Sequence, residues 1–172
     1  VPHDYFNQEL PLEAKRSFIF LSLLLALLFN LLPLQGIMLL LRPDFVAITL
    51  LYWSIHYPQR IGMSLAFIAG LAMDVSNSSM LGQHALAYCV ITFFGMILHR
   101  RLRLFNSFQQ APQIFWILLI TQFAIFLTGL LGGSYFPTWY YFFPSVTGAL
   151  LWPVISFLLG IPQKPKSDPN EL

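Results

Sequence analysis

Charge is what this sequence has least of. Only 9% of its 172 residues are Asp, Glu, Lys or Arg, against about 25% in an ordinary soluble domain. Nine basic and seven acidic side chains cannot cover the surface of a globule this size, so a soluble single domain is excluded. The same scarcity excludes a nucleic-acid binder, a coiled coil and a disordered chain. A net charge of +2 calls for no strongly anionic partner. Cysteine is nearly missing too. Cys89 stands alone, which leaves no intramolecular disulfide and no thiolate metal cluster; in its apolar run it reads as a small buried hydrophobe. Catalytic signatures are lacking as well. His3, His56, His84 and His99 are scattered, with no His-Glu-x-x-His and no i,i+4 pair, and there is no Gly-x-Ser-x-Gly elbow or phosphate-binding loop. The expectation is a protein that is not an enzyme and carries no metal or cofactor.

What is abundant is apolar: 57% of residues are hydrophobic and 16% aromatic. That composition describes an all-α, polytopic membrane bundle, in which lipid accepts the apolar surface. Six spans are expected, over residues 17–33, 44–57, 60–75, 84–99, 113–131 and 144–160. Residues 34–41 are apolar but bracketed by Pro33 and Pro43; they extend the first helix past a kink or lie at the interface. If residues 34–57 form one broken span, the count is five. Several runs are short: a sixteen-residue helix reaches about 24 Å, less than the roughly 30 Å of a bilayer core, so they need local thinning or shielding within the bundle. The first run lacks a small-residue cleavage site and is followed by more like it, so it reads as a retained span and not a signal peptide. Residues 1–16 form a cytoplasmic N-terminal segment, 17–160 the bundle and 161–172 a cytoplasmic tail.

The basic residues orient these spans. With the N-terminus in the cytoplasm, Lys15, Arg16, Arg60, Arg100, Arg101, Arg103, Lys164 and Lys166 fall inside and Arg42 outside. Eight to one is a strong positive-inside pattern, and it puts both termini in the cytoplasm. No loop is long enough for a soluble module, so the function belongs to the bundle or its faces.

Four constellations stand out. Gly62, Ala66, Gly70 and Asp74 recur every four residues and share a helix face; small residues let helices approach closely in lipid. The stripe leads to Asp74, an intramembrane carboxylate that is either a functional group or a buried lock for the bundle. Arg42, Asp44, Asp74, Gln83 and His84 gather at the outer end. There Arg42 either pairs with a carboxylate and fixes the turn at Pro43, or helps form a polar pocket for a small ligand. Residues 135–143, including Tyr135, Trp139 and Tyr140, hold seven aromatics in nine positions. They read as an interfacial belt or as a docking strip. Residues 100–108 alternate base and apolar side chains, as a segment touching anionic headgroups or a cytoplasmic partner would.

Residues 42–62, RPDFVAITLLYWSIHYPQRIG, and 67–88, FIAGLAMDVSNSSMLGQHALAY, resemble stretches of the MreD family of rod shape-determining proteins. Gln109-Gln110 and GALLWP at 148–153, with Trp152, fit the same pattern, and the resemblance spans about residues 17–160. It implies an inner-membrane component of the bacterial rod complex, or elongasome, acting with the bitopic protein MreC and the MreB filament. It also implies a part in directing the glycosyltransferase RodA and its class B penicillin-binding partner in peptidoglycan synthesis. The fold it implies is similar to the substrate-binding subunits of vitamin (ECF-type) transporters.

On that reading the protein is a membrane scaffold for the transmembrane helix of MreC. Tyr52, Trp53 and the 135–143 aromatics are its candidate contacts, while Arg42, Asp44 and Asp74 hold the bundle in register. The alternative is a membrane subunit that holds a small molecule or lipid in an outer pocket lined by Asp74, His84 and Trp53. A transporter or channel is disfavoured by the lack of an internal repeat and the few intramembrane charges.

Overall fold

The computed structural model describes residues 15–133 and 139–163; Tyr135, Lys164, Lys166 and nearly all of the N-terminal segment lie outside them. The described residues form seven α-helices: α1 Arg16–Asn30, α2 Ile37–Leu41, α3 Phe45–His56, α4 Met63–Ser76, α5 Gln83–Leu102, α6 Ser107–Leu131 and α7 Phe143–Gly160. Two 3-10 turns, Trp139–Phe142 and Ile161–Gln163, flank α7. Four stretches are long and apolar enough to cross a membrane: Ile37–His56, Gln83–Leu102, Ser107–Leu131 and Trp139–Gly160. The helices α1 and α4 are apolar but shorter, whereas the short runs 44–57, as far as His56, and 84–99 lie within longer apolar stretches. The molecule is a multi-pass helical membrane protein.

The centre is α3. It is apolar on every side, and all of Val46 to Ile55 is buried, as expected of a helix surrounded by others. Its ends are set locally. Asp44 caps the start, its carboxylate accepting the Ala47 N–H at 3.0 Å, and Pro58 follows the C-cap Tyr57. Around it pack α1, α5 and α7, while α5 also meets α4 and α6, and α6 meets α7. Two crossings depend on glycine. A Cβ on Gly70 of α4 would collide with the backbone of Ala85 on α5, and one on Gly95 of α5 would collide with Ser54 on α3. Those contacts let helix backbones touch where no hydrophobic effect drives them together.

Boundaries differ from the sequence reading in three places. The first helix stops at Asn30 rather than Pro33. Residues 34–57 are broken at Arg42–Asp44: α2 is a five-residue helix with every residue exposed, lying beside α7. At the other end α5 continues to Leu102 and α6 already begins at Ser107, so Gln109 and Gln110 sit inside the first turns of a helix. Gln109 reaches back to the Asn106 N–H at 3.4 Å, which satisfies a helix-start donor that periodicity does not reveal.

The outward faces are apolar. Leu24, Ile68, Ile97, Ile120, Phe123 and Leu150 are all exposed, on helices whose polar side chains mostly turn inward. Alternation of the helices puts the ends of α1, α4 and α6 with the starts of α3, α5 and α7. This is the carboxylate end, carrying Asp44, Asp74 and Arg42. Lys15, Arg16, Arg60, Arg100, Arg101 and Arg103 lie at the opposite, basic end.

Candidate functional site

The carboxylate end is built around two acids. Asp74 leaves the last turn of α4 and is fully buried. Its Oδ1 accepts the His84 N–H at 2.8 Å and the Ser79 hydroxyl at 3.0 Å, and it lies 2.8 Å from His84 Nδ1. Its Oδ2 accepts the Gly82 N–H at 2.8 Å. The carboxylate therefore caps the start of α5 from the end of α4, where negative charge is favoured and free N–H groups need partners. The connecting loop is shaped for this. Gly82 has φ +101, a conformation that favours glycine, and it turns its N–H onto the carboxylate. His84 and Asp74 form an ion pair when the ring is protonated.

Asp44 is the second acid. Besides Ala47 it accepts Asn30 Nδ2 at 2.8 Å and the Tyr88 hydroxyl at 2.9 and 2.8 Å. Asn30 in turn accepts the Phe45 N–H through Oδ1 at 3.1 Å. One carboxylate thus fastens the end of α1 and the second turn of α5 to the start of α3. The rings of His84 and Tyr88 meet edge to face at 6.0 Å and connect the two acid sites.

Arg42 does not join either acid. The expected Arg42–carboxylate pair is absent among the described residues, and the guanidinium donates instead to the Leu32 carbonyl at 3.2 Å. The physical reason is that both acids already have neutral donors and amides at short range. Gln83 also departs from the cluster: it donates to the Ile125 carbonyl at 2.9 Å, tying α5 to α6.

The other candidates divide by burial. Tyr52 and Trp53 are buried inside the bundle. Trp53 donates to the Ser22 hydroxyl at 2.9 Å, and Tyr52 packs edge-on against it and stacks on His56. Trp152 is fully buried and donates to Gln110 Oε1 at 2.9 Å, while Gln110 Nε2 donates to the Leu102 and Phe105 carbonyls. Of the small-residue stripe, Ala66, Gly70 and Asp74 are buried, but Gly62 only precedes α4 and is exposed. Trp139 and Tyr140 stand out at 86% and 53% exposure; Tyr135 lies outside the described residues. Leu104 and Phe108, in the basic segment, are also exposed.

Residues the sequence did not single out complete the sites: Asn30, Tyr88 and Gln122; Gln110 entered the sequence reading only as part of the family pattern. Gln122 donates to the Tyr141 carbonyl at 2.7 Å and accepts the Ser145 hydroxyl at 2.8 Å, joining α6 to the start of α7. The available signal was an amide side chain within an apolar run, which in lipid needs a partner from another helix. Among the described residues, Thr92 Oγ1 is the buried side-chain oxygen left without a partner, and no group of three His, Cys, Asp or Glu could hold a metal.

Taken with the apolar exterior, these interlocks define a polytopic helical membrane protein whose polar groups join helix to helix. The family described as rod shape-determining protein MreD matches residues 14–161, and the chain belongs to that family. It is similar to the rod shape-determining protein MreD of Haemophilus influenzae, with 26% identity over 120 residues that cover 70% of this chain and 74% of that protein. No solved structure matches the chain. The likeness to vitamin-transporter subunits rests on the family resemblance alone.

Proposed function

We propose that this protein is a non-enzymatic scaffold of the rod complex in the bacterial inner membrane, with both termini cytoplasmic. It binds the transmembrane helix of MreC and so helps direct peptidoglycan synthesis by RodA and the class B penicillin-binding protein, with the MreB filament on the cytoplasmic side. Family membership supplies the cellular setting. The observation that carries the scaffold reading is how Asp44 and Asp74 are used: both hold helix starts and neighbouring helices in register, as a rigid binding body requires.

The burial of Tyr52 and Trp53 moves the partner face elsewhere. A recess of about 390 Å³ on the outer side of α6 is lined by Trp116, Leu119, Ile120, Phe123 and Phe142. It is wholly apolar, and its Phe142 belongs to the 3-10 turn that carries exposed Trp139 and Tyr140, as a seat for a single apolar helix would require. Affinity purification from native membranes in mild detergent, with mass spectrometry of proteins and small molecules, tests the reading. Stoichiometric recovery of MreC is expected, reduced by Trp116→Ala with Phe123→Ala and unchanged by Ile97→Ala on α5. Recovery of the chain without MreC would sink it.

A second reading, a subunit that holds a small molecule or lipid, has one observation in its favour. The carboxylate end encloses a polar cleft of about 180 Å³.

A further inference from the structure

The cleft is bounded by side chains from every α-helix but α3 and from the segments leading into α3 and α7, among them Asn30, Arg42, Asp44, His84, Gln122 and Tyr141. Asn30 and Gln122 are committed to other helices. Three groups are not fully used. Among the described residues the Arg42 guanidinium makes one hydrogen bond, to the Leu32 carbonyl, so most of its five donors are unspent. His84 is held through Nδ1 by Asp74, which leaves Nε2 to face other partners. The Tyr141 hydroxyl has no hydrogen bond among the described residues, although the Tyr141 backbone carbonyl is held by Gln122. Asp44, half-buried, adds a carboxylate whose Oδ2 takes only the Tyr88 hydroxyl.

The cleft therefore presents a full positive and a full negative charge that do not neutralise each other by contact. A purely anionic ligand would meet Asp44, and a purely cationic one would meet Arg42; each opposition is costly where water is scarce. A zwitterion answers both. A cleft of about 180 Å³ has room for a compact head group. Leu39, Pro43 and Pro144 give the rim an apolar shoulder, and exposed α2 runs beside it, so a chain attached to the head group can leave along an apolar surface.

We infer that this cleft binds an ammonium–phosphate zwitterion, with the phosphate on Arg42 and the Tyr141 hydroxyl and the ammonium on Asp44. The inference rests on the second reading above and is compatible with a partner helix on α6. The chemistry has two sources, the head group of phosphatidylethanolamine and free phosphoethanolamine.

The test uses the full chain in detergent, examined by native mass spectrometry and thermal melting. The probes are dioleoyl phosphatidylethanolamine, dioleoyl phosphatidylglycerol and phosphoethanolamine. Retention of phosphatidylethanolamine over phosphatidylglycerol by at least tenfold is expected, falling about tenfold in Arg42→Gln and about threefold in Tyr141→Phe. Both substitutions spare the hydrogen bonds to Asp44 and Asp74, and their melting temperatures without lipid verify folding. A rise in melting temperature with phosphoethanolamine alone would assign the free compound; a rise with the lipid only would assign the head group. Equal retention of the two lipids, or retention indifferent to Arg42→Gln, would overturn the zwitterion. If a different small molecule is retained by the unmodified chain and lost in Arg42→Gln, the pocket reading stands and this ligand fails. If nothing is retained, both fail.

Discussion

Asp74 illustrates what a single residue does in this bundle. It is a carboxylate in a segment rich in Leu, Ile and Phe, and such a group persists only with several strong partners. It has them: two short amide bonds, a hydroxyl and an imidazole. Replacing it by alanine would leave the Gly82 and His84 N–H groups unpaired at a half-buried helix start. Each such orphan costs about 1–3 kcal/mol when buried, and half-burial puts these two in the lower part of that range, so Asp74→Ala is expected to destabilise the bundle by about 2–4 kcal/mol. Asp74→Asn keeps one acceptor oxygen and should lose roughly half as much. Thermal melting in detergent would measure both, and a melting temperature unchanged in Asp74→Ala would show that the cap carries no stability. Gly70, one turn earlier, acts by absence instead: its missing Cβ is what lets α4 lie against Ala85 and bring the carboxylate to α5.

At the scale of elements, α1 is the least integrated of the long helices. Its inward residues are Ile19, Ser22, Leu23, Ala26 and Asn30, and its main neighbour is α3. Two polar side chains hold it: Ser22 accepts from Trp53, and Asn30 donates to Asp44 and accepts the Phe45 N–H. Interhelical hydrogen bonds in membranes average about 0.6 kcal/mol, so Ser22→Ala or Asn30→Leu alone should cost about 0.5–1.5 kcal/mol. Together they should raise amide exchange across α1 while α3 to α7 keep their protection; uniform loss of protection would mean that α1 is part of one cooperative unit. Sequence patterning read the helical class and singled out Asp74 as an acid within an apolar run. It could not read what Asp74 binds, because the donors come from a loop whose shape depends on positive φ at Gly82. Nor could it show that Trp53 faces inward. A helix apolar all round offers no periodicity from which to choose a face, and α3 is such a helix. For Arg42 the sequence left a carboxylate pair and a place in a polar pocket both open, since it is the lone base at that end; it could not show that Tyr88, forty-four positions from Asp44, holds that acid.

For the whole molecule, the distribution of charge is the property that bears most on orientation. Lys15, Arg16, Arg60, Arg100, Arg101 and Arg103 lie at one end of the described bundle and Arg42 at the other. Basic loops stay in the cytoplasm, and Arg100 and Arg101 also sit in the last turn of α5, where the helix dipole favours cations. The carboxylate end, with its polar cleft, would then face away from the cytoplasm. Cysteine labelling tests this directly, since Cys89 can be removed by Cys89→Ala to leave a background without thiols. In that background Asn77→Cys, between α4 and α5, should react with a membrane-impermeant maleimide in intact spheroplasts, whereas Leu104→Cys, in the exposed turn after α5, should react only after lysis. The opposite pattern would invert the molecule. The cleft would then draw its ligand from the inner leaflet or the cytoplasm, and exposed Trp139 and Tyr140 would meet a partner on the cytoplasmic side of the membrane. The labelling result thus decides which face of the membrane any scaffold or ligand role must be sought on, independently of whether MreC is recovered.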